Sequence, residues 1–261
     1  MNFDYYNETH RLQRFQILPP IVKNIIIINF LFFLASFVLN DKYGISIENI
    51  FGLHFPLSNK FEFYQIITYL FIHADFSHLF FNMFAFWMFG AILENYWGPK
   101  RFLLYFFITG IGAAIIHYTI VYYREIMPEV NAIDNYIASP NIDNFDKLFD
   151  IIMLPMPFSI NNLEIYKEML YDKQLIIGAS GAVFGILLAF GMLFPNSLIY
   201  IYFFIPMKAK YFVILYGLIE LWAGLANTPG DNIGHFAHLG GMIFGLVLIL
   251  YWKYKDKRSY Y

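Results

Sequence analysis

A small set of polar side chains stands in stretches that are otherwise apolar: His78 and Asn82, Ser180, Glu220, and the pair His235 and His238. A serine hydroxyl becomes a nucleophile when an imidazole about 2.6–3.2 Å away takes its proton, so Ser180 and His238 form a candidate nucleophile–base pair. His78 and Asn82 are spaced i, i+4 and face the same way on a helix. Together they offer two donors to one point, as an acyl-transfer site needs for its oxyanion, and the backbone N–H of Ser180 is a third.

Other chemistries fit the same residues less well. A Gly-x-Ser-Gly stretch in a membrane helix is, taken alone, more often packing plus a local hydrogen bond. His78 and Asn82 are also good glue between helices. Histidines 73, 78, 235 and 238 are candidate metal ligands, yet the pairs read His-Ala-Asp-Phe-Ser-His and His-Phe-Ala-His, not H-E-x-x-H. The soluble hydrolase elbow G-x-S-x-G is absent, because position 182 is alanine and no strand is expected before the serine. Glu220 is assigned to the helix dipole or to a loop hydrogen bond rather than to orienting a histidine. His235 has no assigned role, and His10, His54 and His117 are read as incidental.

These side chains need helices to carry them. Only 14% of the 261 residues are charged while 59% are hydrophobic, where a soluble domain carries nearer a quarter charged. The apolar excess falls in blocks of spanning length, which marks a polytopic membrane protein. Six transmembrane helices are predicted, in the runs Asn24–Asn40, Phe76–Leu93, Phe102–Tyr123, Gln174–Phe194, Tyr211–Ala226 and Asn232–Trp252. Tyr43–Thr68 reads as a loop lying partly in the membrane surface, and Ser197–Pro206 as a turn or interfacial piece. The net charge of −2 leaves no basic field for nucleic acid. The absence of cysteine excludes disulfides and thiolate metal sites.

Lysine and arginine bias sets the orientation. With the N-terminus inside, eleven lie on the cytoplasmic side and six outside, four of those in the acidic segment from Arg124 to Lys173. Both termini are then cytoplasmic, the plasma (inner) membrane is the expected location, and no signal-peptide pattern precedes the first span. Residues 1–20 are a short cytoplasmic segment, 21–252 the membrane domain with an external insertion at 125–173, and 253–261 a cytoplasmic tail. Asp146–Met153 within the insertion reads as an interfacial amphipathic helix. The second, fourth and sixth helices all run from outside to inside. His78, Ser180 and His238 each lie about five or six residues in, so all three sit roughly 8 Å below the outer helix ends. The stripes Gly181-x-x-x-Gly185 and Gly241-x-x-x-Gly245 allow the close backbone approach that a serine–imidazole contact requires.

The ordered set of motifs resembles the rhomboid intramembrane serine proteases. Gly178-Ala-Ser-Gly181 is similar to that family's G-x-S-G nucleophile motif, Ala237-His-Leu-Gly-Gly241 to its A-H-x-G-G base motif, and His78-Leu-Phe-Phe-Asn82 to its H-x-x-x-N motif. Tyr64, Gln65, Thr68 and His73 resemble its first loop, with Gln65 where the family usually has arginine, so the anchoring of that loop is expected to differ. Gly90–Glu94 resembles the end of its second helix. The resemblance implies an all-α, six-transmembrane-helix bundle. It implies Ser180 as nucleophile and His238 as general base in a dyad without a carboxylate, with His78, Asn82 and the Ser180 N–H as oxyanion hole. It implies that Phe184 stacks on His238. The implied reaction is intramembrane proteolysis: serine-type hydrolysis of peptide bonds in or near the spans of single-span or other membrane-protein substrates. Small residues are implied at the cut and lateral entry near the second and fifth helices. No cofactor, metal or nucleic-acid partner is implied. The alternative is a catalytically silent rhomboid-like scaffold that binds membrane proteins. Such members lose the serine or the histidine, and both are present here. A His-lined transporter or metal-dependent membrane oxidoreductase would need more intramembrane carboxylates than Glu220.

Overall fold

The computed structural model describes residues 15–152, 159–201, 204–226, 228 and 233–258. Helix α1 (Pro20–Tyr43) begins on a proline, whose missing N–H costs nothing where no intrahelical acceptor exists. The next two donors, Ile21 N–H and Val22 N–H, go to the buried Glu94 carboxylate at 2.9 and 2.8 Å. An anion at the positive end of a helix is favourable, so the glutamate of the Gly90–Glu94 motif docks α1 onto the next long helix. Gly44, at φ 64°, ends α1 in the left-handed conformation.

The loop that follows holds α2 (Ile47–Phe51), strand β1 (Leu53–His54) and α3 (Gln65–Thr68), which tightens into a 3₁₀ turn at Tyr69–Phe71. Gln65 is buried at its centre. Its side-chain oxygen accepts from His54 N–H (3.3 Å) and Glu62 N–H (3.0 Å). Its amide nitrogen donates to the Ile50 and Lys60 carbonyls at 3.2 and 3.1 Å. The anchoring does differ from what an arginine would give, because a guanidinium has no acceptor for those two N–H groups.

Helix α4 (Phe76–Trp97) is capped by Asp75, whose carboxylate accepts from His78 N–H at 2.8 Å. Helix α5 (Pro99–Val121) runs through a π turn at Tyr122–Ile126 into α6 (Met127–Ala138), so the third predicted span continues past Tyr123 without a break. Helices α7 (Ile142–Ile151) and α8 (Ile160–Asp172) follow, capped by the side chains of Asn141 and Ser159. Ala132, Ile133, Leu148, Ile152 and Leu163 give the stretch from α6 to α8 a small core of its own. The amphipathic stretch predicted at Asp146–Met153 therefore turns Leu148 onto α6 and α8, while Met153 lies outside the described residues.

Strand β2 (Leu175–Ile176) pairs antiparallel with β1, Leu53 opposite Ile176. It precedes α9 (Ser180–Leu193), and this overturns two expectations. A strand does stand before the serine, and the fourth helix begins at Ser180 rather than near Gln174. The reason is pairing across the sequence, since β1 holds residues 175–176 extended and delays the helix. After α9 the predicted interfacial piece is a hairpin of β3 (Leu198–Ile201) and β4 (Ile205–Lys208), with Leu198 opposite Lys208. Helices α10 (Ala209–Ala226) and α11 (His235–Arg258) complete the chain. Five described helical stretches are long and apolar enough to cross a membrane, and α9 is a shorter apolar helix. The result is a six-helix membrane bundle with α9 in its middle, against α4, α5, α10 and α11.

Candidate active site

The site is built where α9 begins. Gly178 N–H donates to the Tyr69 carbonyl at 2.9 Å, which fixes the turn between β2 and α9. Its φ is 111°, in a region that only glycine adopts cheaply, and a Cβ there would stand 2.8 Å from the His78 imidazole. Two residues later the helix starts. Its first rung is Val183 N–H to Ala179 C=O at 2.9 Å, and no side chain caps it. The N–H groups of its first turn therefore have no intrahelical acceptor and point outward at the positive end of the helix dipole. Ser180 is at that end, not about six residues inside a longer helix. His78 and His238 likewise lie in the first turns of α4 and α11. The three meet at one level because α9 starts late.

Close backbones bring His238 to Ser180. A methyl on Gly241 would fall onto the Gly181 carbonyl oxygen, and one on Gly185 would stand 3.0 Å from the Gly241 carbonyl. With α9 and α11 so near, Ser180 Oγ lies 2.9 Å from His238 Nε2. The Phe184 ring stacks on His238 at 4.1 Å between centroids and 6° between planes, as the resemblance implies. Tyr216 of α10 stacks on the other side of Phe184 at 5.3 Å. His78 packs edge-on against His73, centroids 4.8 Å apart. Asn82, one turn further along α4, spends one amide proton on the His78 carbonyl at 2.9 Å and retains the other.

Glu220 and His235 also belong to this cluster, although the sequence reading sets aside a histidine-orienting role for the first and gives the second none. His238 Nδ1 is 2.9 Å from Glu220 Oε2, and His235 Nδ1 is 2.6 Å from the same oxygen. An acid therefore stands on the far side of the imidazole, where the resemblance implies none. A signal was available. Helix α10 runs opposite to α4, α9 and α11, and Glu220 is six residues before its end at Ala226. That is about 9 Å at 1.5 Å per residue, close to the depth that the predicted spans give the other polar groups.

Glu220, His235 and His238 are also the group of three metal-type donors found among the described residues. An ion with ligands about 2.0–2.2 Å away spreads tetrahedral donors to roughly 3.3 Å or more. The contacts of 2.6 and 2.9 Å onto one oxygen are those of hydrogen bonds. The residues as arranged fit an acid held by two imidazoles better than an ion.

The stretch from α6 to α8 is fastened to the first loop and to α10. Ser58 of the first loop donates to Asp172 at the end of α8 at 2.6 Å, and Lys60 Nζ lies 3.3 Å from the same carboxylate. The Ser58 hydroxyl foremost, then Lys60, holds the Asp172 carboxyl below its usual range. Arg124, in the π turn, donates to the Gly224 carbonyl near the end of α10 at 3.0 Å.

Comparison with known proteins agrees with this architecture. The chain matches the family model of the Rhomboid domain over residues 60–138 and 149–255. It is 24% identical over 254 residues to the putative rhomboid protease YdcA of Bacillus subtilis (strain 168), covering 97% of this chain and 98% of that one. It is 24% identical over 211 residues to the rhomboid protease AarA of Providencia stuartii, covering 76% and 59%. It is 24% identical over 212 residues to RHOMBOID-like protein 12, mitochondrial, of Arabidopsis thaliana, covering 80% and 49%. The chain thus spans nearly all of the first relative and half to three-fifths of the other two. With the domain matched over well more than half its length and six apolar helices to carry it, the chain is an integral membrane protein that belongs to the rhomboid family.

Proposed function

We propose that this protein is an intramembrane serine endopeptidase that hydrolyses a peptide bond in or near a transmembrane segment of another membrane protein. The observation that carries the reading is the 2.9 Å contact between Ser180 Oγ and His238 Nε2 at the uncapped start of α9. Oγ bonds to the substrate carbonyl carbon as its proton passes to Nε2. The oxyanion receives the N–H groups of the first turn of α9, Ser180 among them, with His78 and the second amide proton of Asn82. When the C–N bond breaks, Nε2 returns the proton to the leaving amine. A water then attacks the ester carbonyl, giving its proton to Nε2, and the second half releases Ser180 and a carboxylate product.

A helical substrate hides its carbonyls in its own hydrogen bonds, so the segment has to unwind locally to be cut. Entry from the side between α4 and α10 is consistent with α10 exposing most of its apolar surface, Ile214, Leu218, Trp222 and Leu225 included. The lysine and arginine bias supports cytoplasmic termini and a site open to the external side. The test is cleavage of a single-span substrate by the purified protein in lipid, beside Ser180→Ala. Cleavage is expected to fall to background in the variant and to be indifferent to chelator. Cleavage that survives in Ser180→Ala would assign the nucleophile elsewhere.

A further inference from the structure

We propose that Glu220 is a positioning residue for the base, making the site a Ser180–His238–Glu220 triad, and that His235 is the clamp that holds this carboxylate in place. The inference rests on the protease reading and goes beyond it. The side chains of Glu220 and His238 are 8% and 10% exposed, so an acid lies beside the imidazole in a nearly dry site. An ionised carboxylate only accepts hydrogen bonds, so both imidazoles facing its Oε2 carry their proton on Nδ1. For His238 this leaves the Nε2 lone pair aimed at Ser180, the tautomer that can take the hydroxyl proton. When that proton arrives the ring becomes an imidazolium, and the carboxylate 2.9 Å away stabilises it without accepting a proton itself.

Two features show why His235 is needed. A buried carboxylate is costly unless its oxygens are hydrogen-bonded, and a single bond to His238 would leave Glu220 free to swing about its own side chain. The second N–H, one turn of α11 away at 2.6 Å, fixes Oε2 from another direction. Phe184, flat against His238, closes the remaining freedom of the ring. Carboxylate, clamp and stack together leave the imidazole one orientation.

The experiment uses the full chain in lipid, comparing wild type with Glu220→Gln, Glu220→Asp and His235→Phe. It reads kcat and KM on a single-span substrate, fluorophosphonate labelling of Ser180, and thermal stability. Glu220→Gln is expected to lower kcat by up to about 10⁴-fold, the order of the loss when the orienting acid of a serine-protease triad is removed. KM is expected to stay within about threefold, because the carboxylate acts on the base and not on the substrate. Glu220→Asp is expected to recover at least about tenfold of that loss, and His235→Phe to cost about tenfold. Labelling of Ser180 is expected to slow in the same order.

A Glu220→Gln enzyme that keeps more than about a third of its kcat would overturn the triad while leaving Ser180 and His238 in their roles. So would losses in both Glu220 variants that track unfolding temperature with no gain from aspartate, which would make Glu220 a packing residue. If wild type is neither labelled nor active, the protease reading itself fails and the triad with it. Wild-type activity abolished by chelator and restored by Zn²⁺ would mean that Glu220, His235 and His238 hold an ion instead.

Discussion

Helix α9 buries ten of its fourteen residues, while α10 buries four of eighteen, namely Ala209, Val213, Glu220 and Gly224. Lipid gives apolar side chains no reason to leave it, so helices in a membrane are held by close packing and by polar contacts. Helix α9 has the first kind of support. Gly181 meets Ala113 and the Ala237 carbonyl, Gly185 meets Thr109, and Tyr105 donates to the Gly185 carbonyl at 2.8 Å. Helix α10 has mostly the second kind. Its second half is fastened by Glu220 to two histidines and by Arg124 to the Gly224 carbonyl, and Tyr216 adds one ring contact. Ser180 thus rides on a helix packed on most sides, and the carboxylate beside His238 on one held by a few bonds.

That contrast can be broken from either side. The largest effect is expected from Gly241→Val, which forces bulk against the Gly181 carbonyl. Overpacking of this kind costs about 1–3 kcal/mol, and here it also pulls His238 off Ser180. Cleavage is expected to vanish, with a clear fall in unfolding temperature in detergent. A matched pair sharpens the comparison. Ile186→Ala, at a fully buried site of α9, is expected to cost about 2 kcal/mol of stability through lost contacts. Trp222→Ala, at a 72% exposed residue of α10, is expected to stay within about 0.5 kcal/mol of wild-type stability. Equal losses in the two would mean that α10 is as tightly held as α9.

The smallest effect is expected where α8 is fastened to the first loop. Asp172 is held below its usual range in the folded protein, so its contribution is complete above the unfolded carboxylate value of about 3.9 and is lost as pH falls through the folded one. Lys60 is more than half exposed, so the link contributes less than about 1 kcal/mol. Protection of the α8 amides, taken relative to their intrinsic exchange rates at each pH, is expected to fall below about pH 4 in wild type. Asp172→Asn is expected to remove that acid dependence.

Much of the bundle can be read from residue order. The three helices bearing Ser180, His78 and His238 follow from apolar run lengths, and the glycine stripes mark where they touch. What the reading misses is fixed by distant partners. Residues 175–176 are extended because β1, more than a hundred positions earlier, pairs with them, and that pairing decides where α9 begins. Glu220 sits alone in its span, and only the antiparallel run of α10 brings it level with histidines numbered fifteen and eighteen later. The core formed by α6, α7 and α8 is hidden for a different reason. Ile133, Leu148 and Leu163 come from three separate short helices, and which apolar positions of each face one another is decided by how the three pack.

The hairpin that leads into α10 fixes how this helix can travel. Ala209 N–H donates to the Ser197 carbonyl at 2.8 Å and Lys210 N–H to the Pro195 carbonyl at 3.2 Å, so its first residues are pinned to the end of α9. Movement is then a swing of the far half about that pivot, and both imidazole contacts end on one oxygen of the swinging half. A displacement of about an ångström takes both beyond hydrogen-bond range together. On the proposed reading, in which a chain enters past α10, both contacts have to re-form before that chain can be cut, on the microsecond-to-millisecond scale of helix motions.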